Sequence, residues 1–245
     1  TGSKTEGRAR KKQLLLLLLL IVVGLLIGQE MFIKRPDQVH ITTSGRIDMC
    51  LTCHQEEKLD PAHDPRVIGC ASCHLGDGLA IDKDLAHKGM VLNPGDLRVV
   101  EKTCGIEGCH PTDVKKVMNS LMATNRGIIG TLLYYWDESD SQDTELTVKK
   151  LMDSGETSLA LDYFRKLCAT CHLWKQKNDL PGAPDFFNEK GGGCSACHYL
   201  LPEGQERQGV AGFDDATSSE KKKIHPLIIK KVDEDNCIRC HNRSG

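Results

Sequence analysis

The sequence predicts a mainly α-helical fold with extensive coil, preceded by one N-terminal transmembrane helix. Aromatic residues make up only 4% of the 245 residues, which is poor material for a large protein core. Turn signals such as Asp60-Pro61 and Asp64-Pro65 leave no long periodic segment between residues 36 and 110. The twelve cysteines fall in a repeated pattern with histidine, and this pattern decides the rest of the prediction.

Five cysteine pairs have the form Cys-x-x-Cys-His, and a sixth pair has four residues between its cysteines. The cysteines are Cys50, Cys53, Cys70, Cys73, Cys104, Cys109, Cys168, Cys171, Cys194, Cys197, Cys237 and Cys240. The histidines that follow them are His54, His74, His110, His172, His198 and His241. This pattern is typical of c-type haem attachment, in which the thiols form thioethers with the porphyrin and the histidine ligates the iron.

Two other uses of Cys-x-x-Cys are zinc sites and redox-active dithiols. Neither requires a histidine straight after the second cysteine. Histidine is only 10 of 245 residues, so six such coincidences are not explained by composition. The sequence therefore predicts six c-type haems.

Six haems change the expected fold class. Each haem is a large apolar body joined covalently to the chain, so it replaces the missing aromatic core. The expected fold is mainly α with extensive coil, in multihaem cytochrome c lobes wrapped around six covalent haems, plus the transmembrane helix. The formal net charge of −2 becomes considerably more acidic with the haem propionates. Without a basic stripe interleaved with aromatic residues, nucleic-acid binding is not expected.

Six irons present twelve axial positions, of which the motif histidines fill six. The candidate distal ligands are the other four histidines and two methionines one helical turn apart: His40, His63, His87, His225, Met118 and Met122. A methionine at helical spacing can equally belong to a protein core. Even with all four histidines bound, two irons lack a histidine from this chain. Methionine is the usual alternative ligand and raises the haem potential.

Residues 14–28 contain no polar or charged side chain and follow a basic N-terminal segment. Extended through residue 33, the apolar stretch reaches about 20 residues, enough to cross a bilayer. A cleaved signal peptide has the same basic start and apolar middle, but no small-x-small cleavage signature follows. The sequence therefore predicts a single-pass anchor in the cytoplasmic membrane, with the N-terminus in the cytoplasm and the haem lobe in the periplasm.

The motif spacing divides the chain into four segments. Residues 1–35 form the basic tail and anchor, and residues 36–110 form a haem lobe with the first three motifs. Residues 111–167 form a motif-free helical spacer, and residues 168–245 form a haem lobe with the last three motifs. Internal duplication would also give two lobes, although the motif spacings in the two halves differ.

Within the spacer, the periodicity predicts helices over residues 113–122, 127–136 and 146–167. The acidic, serine-rich run 137–145 is interpreted as a solvated loop. A docking surface for a basic soluble cytochrome is the alternative interpretation of this run.

One anchor followed by six motifs resembles the hexahaem cytochrome subunit of the menaquinone reductase complex of sulfate reducers. The related pentahaem subunit of alternative complex III is similar, and the Cys104–Cys109 spacing resembles a variant in tetrahaem class III cytochromes. The chain departs from the tetrahaem quinol dehydrogenases, whose first motif is typically followed by a methionine ligand. Here Gln55-Glu56-Glu57 follows His54.

The resemblance implies an electron-transfer subunit rather than an enzyme. It would relay electrons from a soluble periplasmic donor, such as a tetrahaem cytochrome, to an integral-membrane quinone-binding subunit with iron–sulfur and molybdopterin-type partners. A stand-alone quinol dehydrogenase and a reductase with an open haem site are the alternatives. Haem nitrite reductases usually place lysine at the active motif, whereas all six motifs here end in histidine.

Overall fold

The computed structural model describes residues 3–32, 39–55, 59–177, 190–200 and 225–241. The chain divides into two compact units, Thr1–Val39 and His40–Gly245. The first unit contains one long helix, α1 (Ser3–Phe32). The second unit carries every cysteine motif.

The predicted membrane span is wrong. Within the part of the chain that the structure describes, no helix is long and apolar enough to cross a membrane. The uninterrupted apolar run of α1, residues 14–28, measures about 22 Å at 1.5 Å per residue. A bilayer hydrocarbon core is about 30 Å thick, and Gln29 and Glu30 follow the run at once. The finding contradicts the predicted single-pass location in the cytoplasmic membrane with a periplasmic haem lobe.

The second unit is built from short helices and a minimal sheet, and about half of the described chain is helical. The α-helices among its described residues are α2 (Pro65–Ile68), α3 (Ala71–His74), α4 (Lys83–Ala86), α5 (Pro111–Met118), α6 (Leu121–Thr124), α7 (Arg126–Tyr135), α8 (Val148–Ser154), α9 (Leu159–Leu167), α10 (Ser195–His198) and α11 (Glu234–His241). The 3-10 turns are Met49–Thr52, Val100–Lys102 and Ala169–Cys171.

The sheet has two antiparallel strands, β1 (Tyr199–Leu200) and β2 (Leu227–Ile228). Tyr199 pairs with Ile228, and Leu200 pairs with Leu227. The sheet therefore joins the fifth motif, which ends at His198, to a segment that precedes the sixth motif.

Polar caps divide the predicted helices of the spacer. Ser120 accepts a hydrogen bond from Ala123 N and starts α6, so the helix predicted over residues 113–122 is split between α5 and α6. The helix predicted over residues 146–167 is also two helices. Gly155 ends α8 with a left-handed φ of 65°, and Ser158 then caps α9.

The apolar core lies mainly in the spacer that carries no motif. Phe164, Ile129 and Leu161 are among the fully buried side chains, and Val100 and Trp174 join them in one cluster. The described residues thus form a protein core of their own. The predicted fold class, lobes wrapped around six haems plus a transmembrane helix, is wrong in this respect as well as in the membrane span. No group of three or more His, Cys, Asp or Glu side chains within the described ranges could hold a metal ion.

The acidic run 137–145 is held to the helices around it. The Arg126 guanidinium lies 2.6 Å from Glu145 Oε1 and also donates to Thr144 O at 2.9 Å. At the other end of the run, Glu138 accepts hydrogen bonds from Ser158 Oγ and from Ala160 N at the start of α9. The run therefore links the start of α7 to the start of α9.

Candidate functional site

The cysteine motifs form single tight turns. In four of them the histidine N–H donates to the carbonyl of the first cysteine at 2.9–3.0 Å. These bonds join His54 to Cys50, His74 to Cys70, His110 to Cys104 and His198 to Cys194. The sixth motif lies within α11, and the fourth lies at the 3-10 turn that follows α9. Each turn brings two thiols and one imidazole close together.

The long motif closes in the same way despite its two extra residues. His110 N donates to Cys104 O at 2.9 Å. Three short motifs make the same bond from the histidine N–H to the first cysteine, across four residues instead of six. The additional length is taken up in a loop that contains Gly108, whose φ of 85° is in the left-handed region. His110 therefore keeps the same hydrogen-bonded relation to its first cysteine as the other motif histidines.

Three motif histidines lie opposite three histidines from outside the motifs. The ring centroids are 6.2 Å apart for His54 and His87, 6.1 Å for His110 and His63, and 5.9 Å for His74 and His225. Each pair joins one predicted proximal ligand to one predicted distal ligand. The pairs account for the first three motifs and use three of the four spare histidines.

A bis-histidine haem requires nearly this separation. Two imidazole nitrogens on opposite sides of one metal lie roughly 4 Å apart, because metal–imidazole bonds are ~2.0 Å long. Adding about 1 Å from each nitrogen to its ring centre gives a centroid separation of roughly 6 Å. Aromatic rings in direct contact also have centroids ~4.5–7 Å apart, so the distance by itself does not identify a haem site. The stronger indication is that each pair combines a motif histidine with a histidine from outside the motifs. The residues fit a haem iron, which takes only two ligands from the protein.

Several of these imidazoles have their Nδ1 held by an oxygen. Nδ1 of His74 lies 2.7 Å from Val91 O, that of His198 lies 2.8 Å from Ile229 O, and that of His225 lies 2.8 Å from Pro226 O. A carbonyl oxygen only accepts, so Nδ1 carries the proton and Nε2 keeps its lone pair for a metal.

His63 is held in a related way, by a carboxylate. Its Nδ1 lies 2.8 Å from Asp60 Oδ2 and 3.0 Å from Asp60 Oδ1. A carboxylate on Nδ1 orients the ring and increases the basicity of the ligating nitrogen. Asp60 therefore fixes the orientation of the His63 ring.

Burial raises the pKa of several motif thiols, among them Cys104, Cys197 and Cys240. Burial raises the pKa of Cys73 and of Cys194 to about 11. The hydrogen bond that the Cys50 thiol donates to Cys70, together with burial, raises the pKa of Cys50. Burial therefore favours the neutral thiol over the thiolate at these positions.

Asp48 connects the first two motifs and was missed by the sequence reasoning. This buried residue accepts from Cys50 N at 3.1 Å through Oδ1 and from Ala71 N at 3.0 Å through Oδ2. One carboxylate therefore caps the turns of both motifs. The available signal was an aspartate two residues before the first cysteine, the position of an N-cap.

The loop that precedes the third motif contacts the fifth motif. Cys194 N donates to Gly95 O at 2.9 Å, and Asn93 Nδ2 donates to Gly192 O at 3.0 Å. A β-carbon on Gly193 would collide with Gly95 O, so this approach depends on glycine. The loop before the third motif and the turn of the fifth motif therefore form one packed junction.

The fifth and sixth motifs are joined by Asn236 of α11. Its Nδ2 donates to Cys197 O at 2.8 Å and to Tyr199 O at 3.3 Å. The asparagine is buried and adjoins Cys237, the first cysteine of the sixth motif. Burial and the neighbouring Cys171 raise the pKa of Cys240, so the sixth motif lies close to the fourth.

The remaining candidate ligands lie in different settings. His40 is half-buried, and its carbonyl accepts from Asp48 N at 3.0 Å. Met118 packs against the apolar core cluster, whereas Met122 is 52% exposed. The structure does not bring these three residues into the histidine pairs described above.

Comparison of the chain with protein-family models, with curated proteins and with solved structures found no match.

Proposed function

We propose that this chain is an electron-transfer protein that binds six c-type haems covalently. It relays electrons from a soluble redox donor, such as a tetrahaem cytochrome, to a quinone-reactive partner complex with iron–sulfur and molybdopterin-type subunits. The partner classes follow from the resemblance in the motif pattern. The observation that carries the proposal is the set of three histidine pairs, with ring centroids 5.9–6.2 Å apart.

Each motif supplies the groups for covalent attachment. Protonated thiols are the form in which cysteine adds across a porphyrin vinyl group, and the raised pKa values of Cys73 and Cys194 maintain that form. The hydrogen bond from the histidine N–H to the first cysteine keeps the imidazole next to both thiols. Haem supplies a reversible one-electron couple when bound.

The histidine pairs support electron transfer rather than catalysis at a haem. In the first three motifs, the rings of His87, His225 and His63 lie 5.9–6.2 Å from the motif histidine and would supply the second protein ligand of a haem bound there. A haem held by two histidines would have no open position for a substrate. The protein contributes ligands and spacing, which together set the potential of each site.

The first test is the mass of the denatured holoprotein, made in a host that attaches c-type haem. We expect the chain plus six haems, and the chain plus five for the double variant Cys104→Ala, Cys109→Ala. A protein that carries zinc and no haem would refute the proposal.

The second test concerns the ligands. Substituting His87→Met should keep six haems and raise the midpoint potential of one of them, because methionine ligation raises haem potentials. Val91→Ala is a matched control nearby, because the main-chain oxygen that holds His74 is retained. If His87→Met leaves every potential and every low-spin signal unchanged, His87 is not a ligand.

A further inference from the structure

A five-residue segment, 225–229, touches two motifs that lie in different halves of the chain. At its start is His225, whose ring centroid is 5.9 Å from that of His74 in the second motif. At its end is Ile229, whose main chain contacts His198 in the fifth motif. Strand β2 occupies the positions between them.

The contact at His225 is directional. The two rings are nearly perpendicular, at 86°, and each has its Nδ1 against a carbonyl oxygen, of Pro226 for His225 and of Val91 for His74. In both rings the proton therefore sits on Nδ1, and Nε2 is the nitrogen that carries the lone pair. Perpendicular rings are compatible with ligation of one metal by both histidines. Each imidazole plane must contain its own metal–nitrogen bond, but the angle between the two planes is unrestricted.

The contact at Ile229 is a double hydrogen bond. Ile229 N donates to His198 O at 2.8 Å, and Ile229 O lies 2.8 Å from His198 Nδ1. The pairing of Tyr199 with Ile228 extends this contact into the sheet. The main chain of Ile229 thus fixes both the backbone and the ring orientation of His198.

We propose that segment 225–229 joins the second and fifth haem sites, and that electrons cross between the two halves of the chain there. His225 is the distal ligand of the haem held at Cys70, Cys73 and His74, while Ile229 orients the proximal ligand of the haem held at Cys194 and Cys197. This inference rests on the proposed function. The four residue steps from His225 to Ile229 span about 13 Å when extended. Electrons could therefore pass between the second and fifth haem sites without following the order of the motifs along the chain.

The test uses the full-length holoprotein and the substitution His225→Gly. We expect six haems by mass, with one haem converted from low spin to high spin and then restored to low spin by added imidazole. A purely structural histidine would not be rescued in this way. Leu227→Ala, in the same strand, is the control and should keep every haem low spin.

A second background identifies which haem responds. In a protein with Cys70→Ala and Cys73→Ala, which should carry five haems, adding His225→Gly should create no high-spin haem. A new high-spin haem in that background would overturn the assignment of His225 to the second motif. Unchanged low-spin signals in the His225→Gly protein with six haems would also overturn it.

The Ile229 contact is tested separately with Ile229→Pro, which removes the N–H that bonds to His198 O. We expect all six haems to remain attached and one midpoint potential, that of the fifth-motif haem, to shift. Unchanged potentials would refute the role of Ile229. A parent protein without six haems would instead refute the proposed function, so the two failures are distinguishable.

Discussion

Trp174 should be the side chain that anchors the fourth motif to the apolar core. It is only 6% exposed, and its Nε1 donates to Ala123 O at 3.0 Å. Substituting Trp174→Phe leaves that buried carbonyl without its donor, which costs about 1–3 kcal/mol. The smaller ring also leaves a cavity worth roughly 1 kcal/mol, so the expected total is about 2–4 kcal/mol. The Lys149 ammonium, 5.5 Å from the Trp174 ring, can still lie over phenylalanine.

The assay is urea unfolding of the holoprotein, in which the midpoint falls while the slope stays constant. Trp136→Phe is the matched control, because Trp136 is 43% exposed and its ring contacts that of Tyr163, which a phenylalanine ring can still do. Its free energy of unfolding should change by about 0.5 kcal/mol or less. Equal effects of the two substitutions would refute the argument that Trp174 is an anchor.

Two further predictions concern a carboxylate and a glycine. The hydrogen bond from Ser158 holds the pKa of Glu138 below its ordinary value near 4.5. The stabilisation from Glu138 is therefore present above about pH 4.5 and is lost as the pH falls through its lowered pKa. Glu138→Gln should consequently be less stable than the parent protein at neutral pH, and this difference should shrink in acid. Thermal melts recorded over a range of pH measure the difference. Gly193→Ala should destabilise the protein more than Gly155→Ala, since both glycines have positive φ but only the first would collide with Gly95 O. Equal melting temperatures for the two glycine variants would contradict this expectation.

Local patterns determined the features that depend on nearby residues. The motif turns, with the histidine bonded back to the first cysteine, follow from short spacing along the chain. The helical character of the spacer follows from apolar periodicity, and α7 (Arg126–Tyr135) lies within one residue of its prediction. The caps at Ser120 and Ser158 were readable in principle, because serine before a helical run is a start signal.

Two wrong predictions, the fold class and the membrane span, rested on the amount of apolar material in the chain. The low aromatic content suggested that the chain is poor material for a large protein core, but Phe164, Trp174 and the aliphatic residues around them pack into one. The apolar run of α1 suggested a membrane span, but its 22 Å or so fall short of a bilayer core.

The six motifs and the four histidines outside them are visible in the sequence, but the sequence does not show which of these histidines lies near which motif. Only the tertiary structure decided that His87 faces His54, that His63 faces His110, and that His225 returns from the far end of the chain to face His74. The physical reason is that the separation of two imidazoles in space is independent of their separation in sequence. That matching depends on how the loops, the two-stranded sheet and the spacer helices pack.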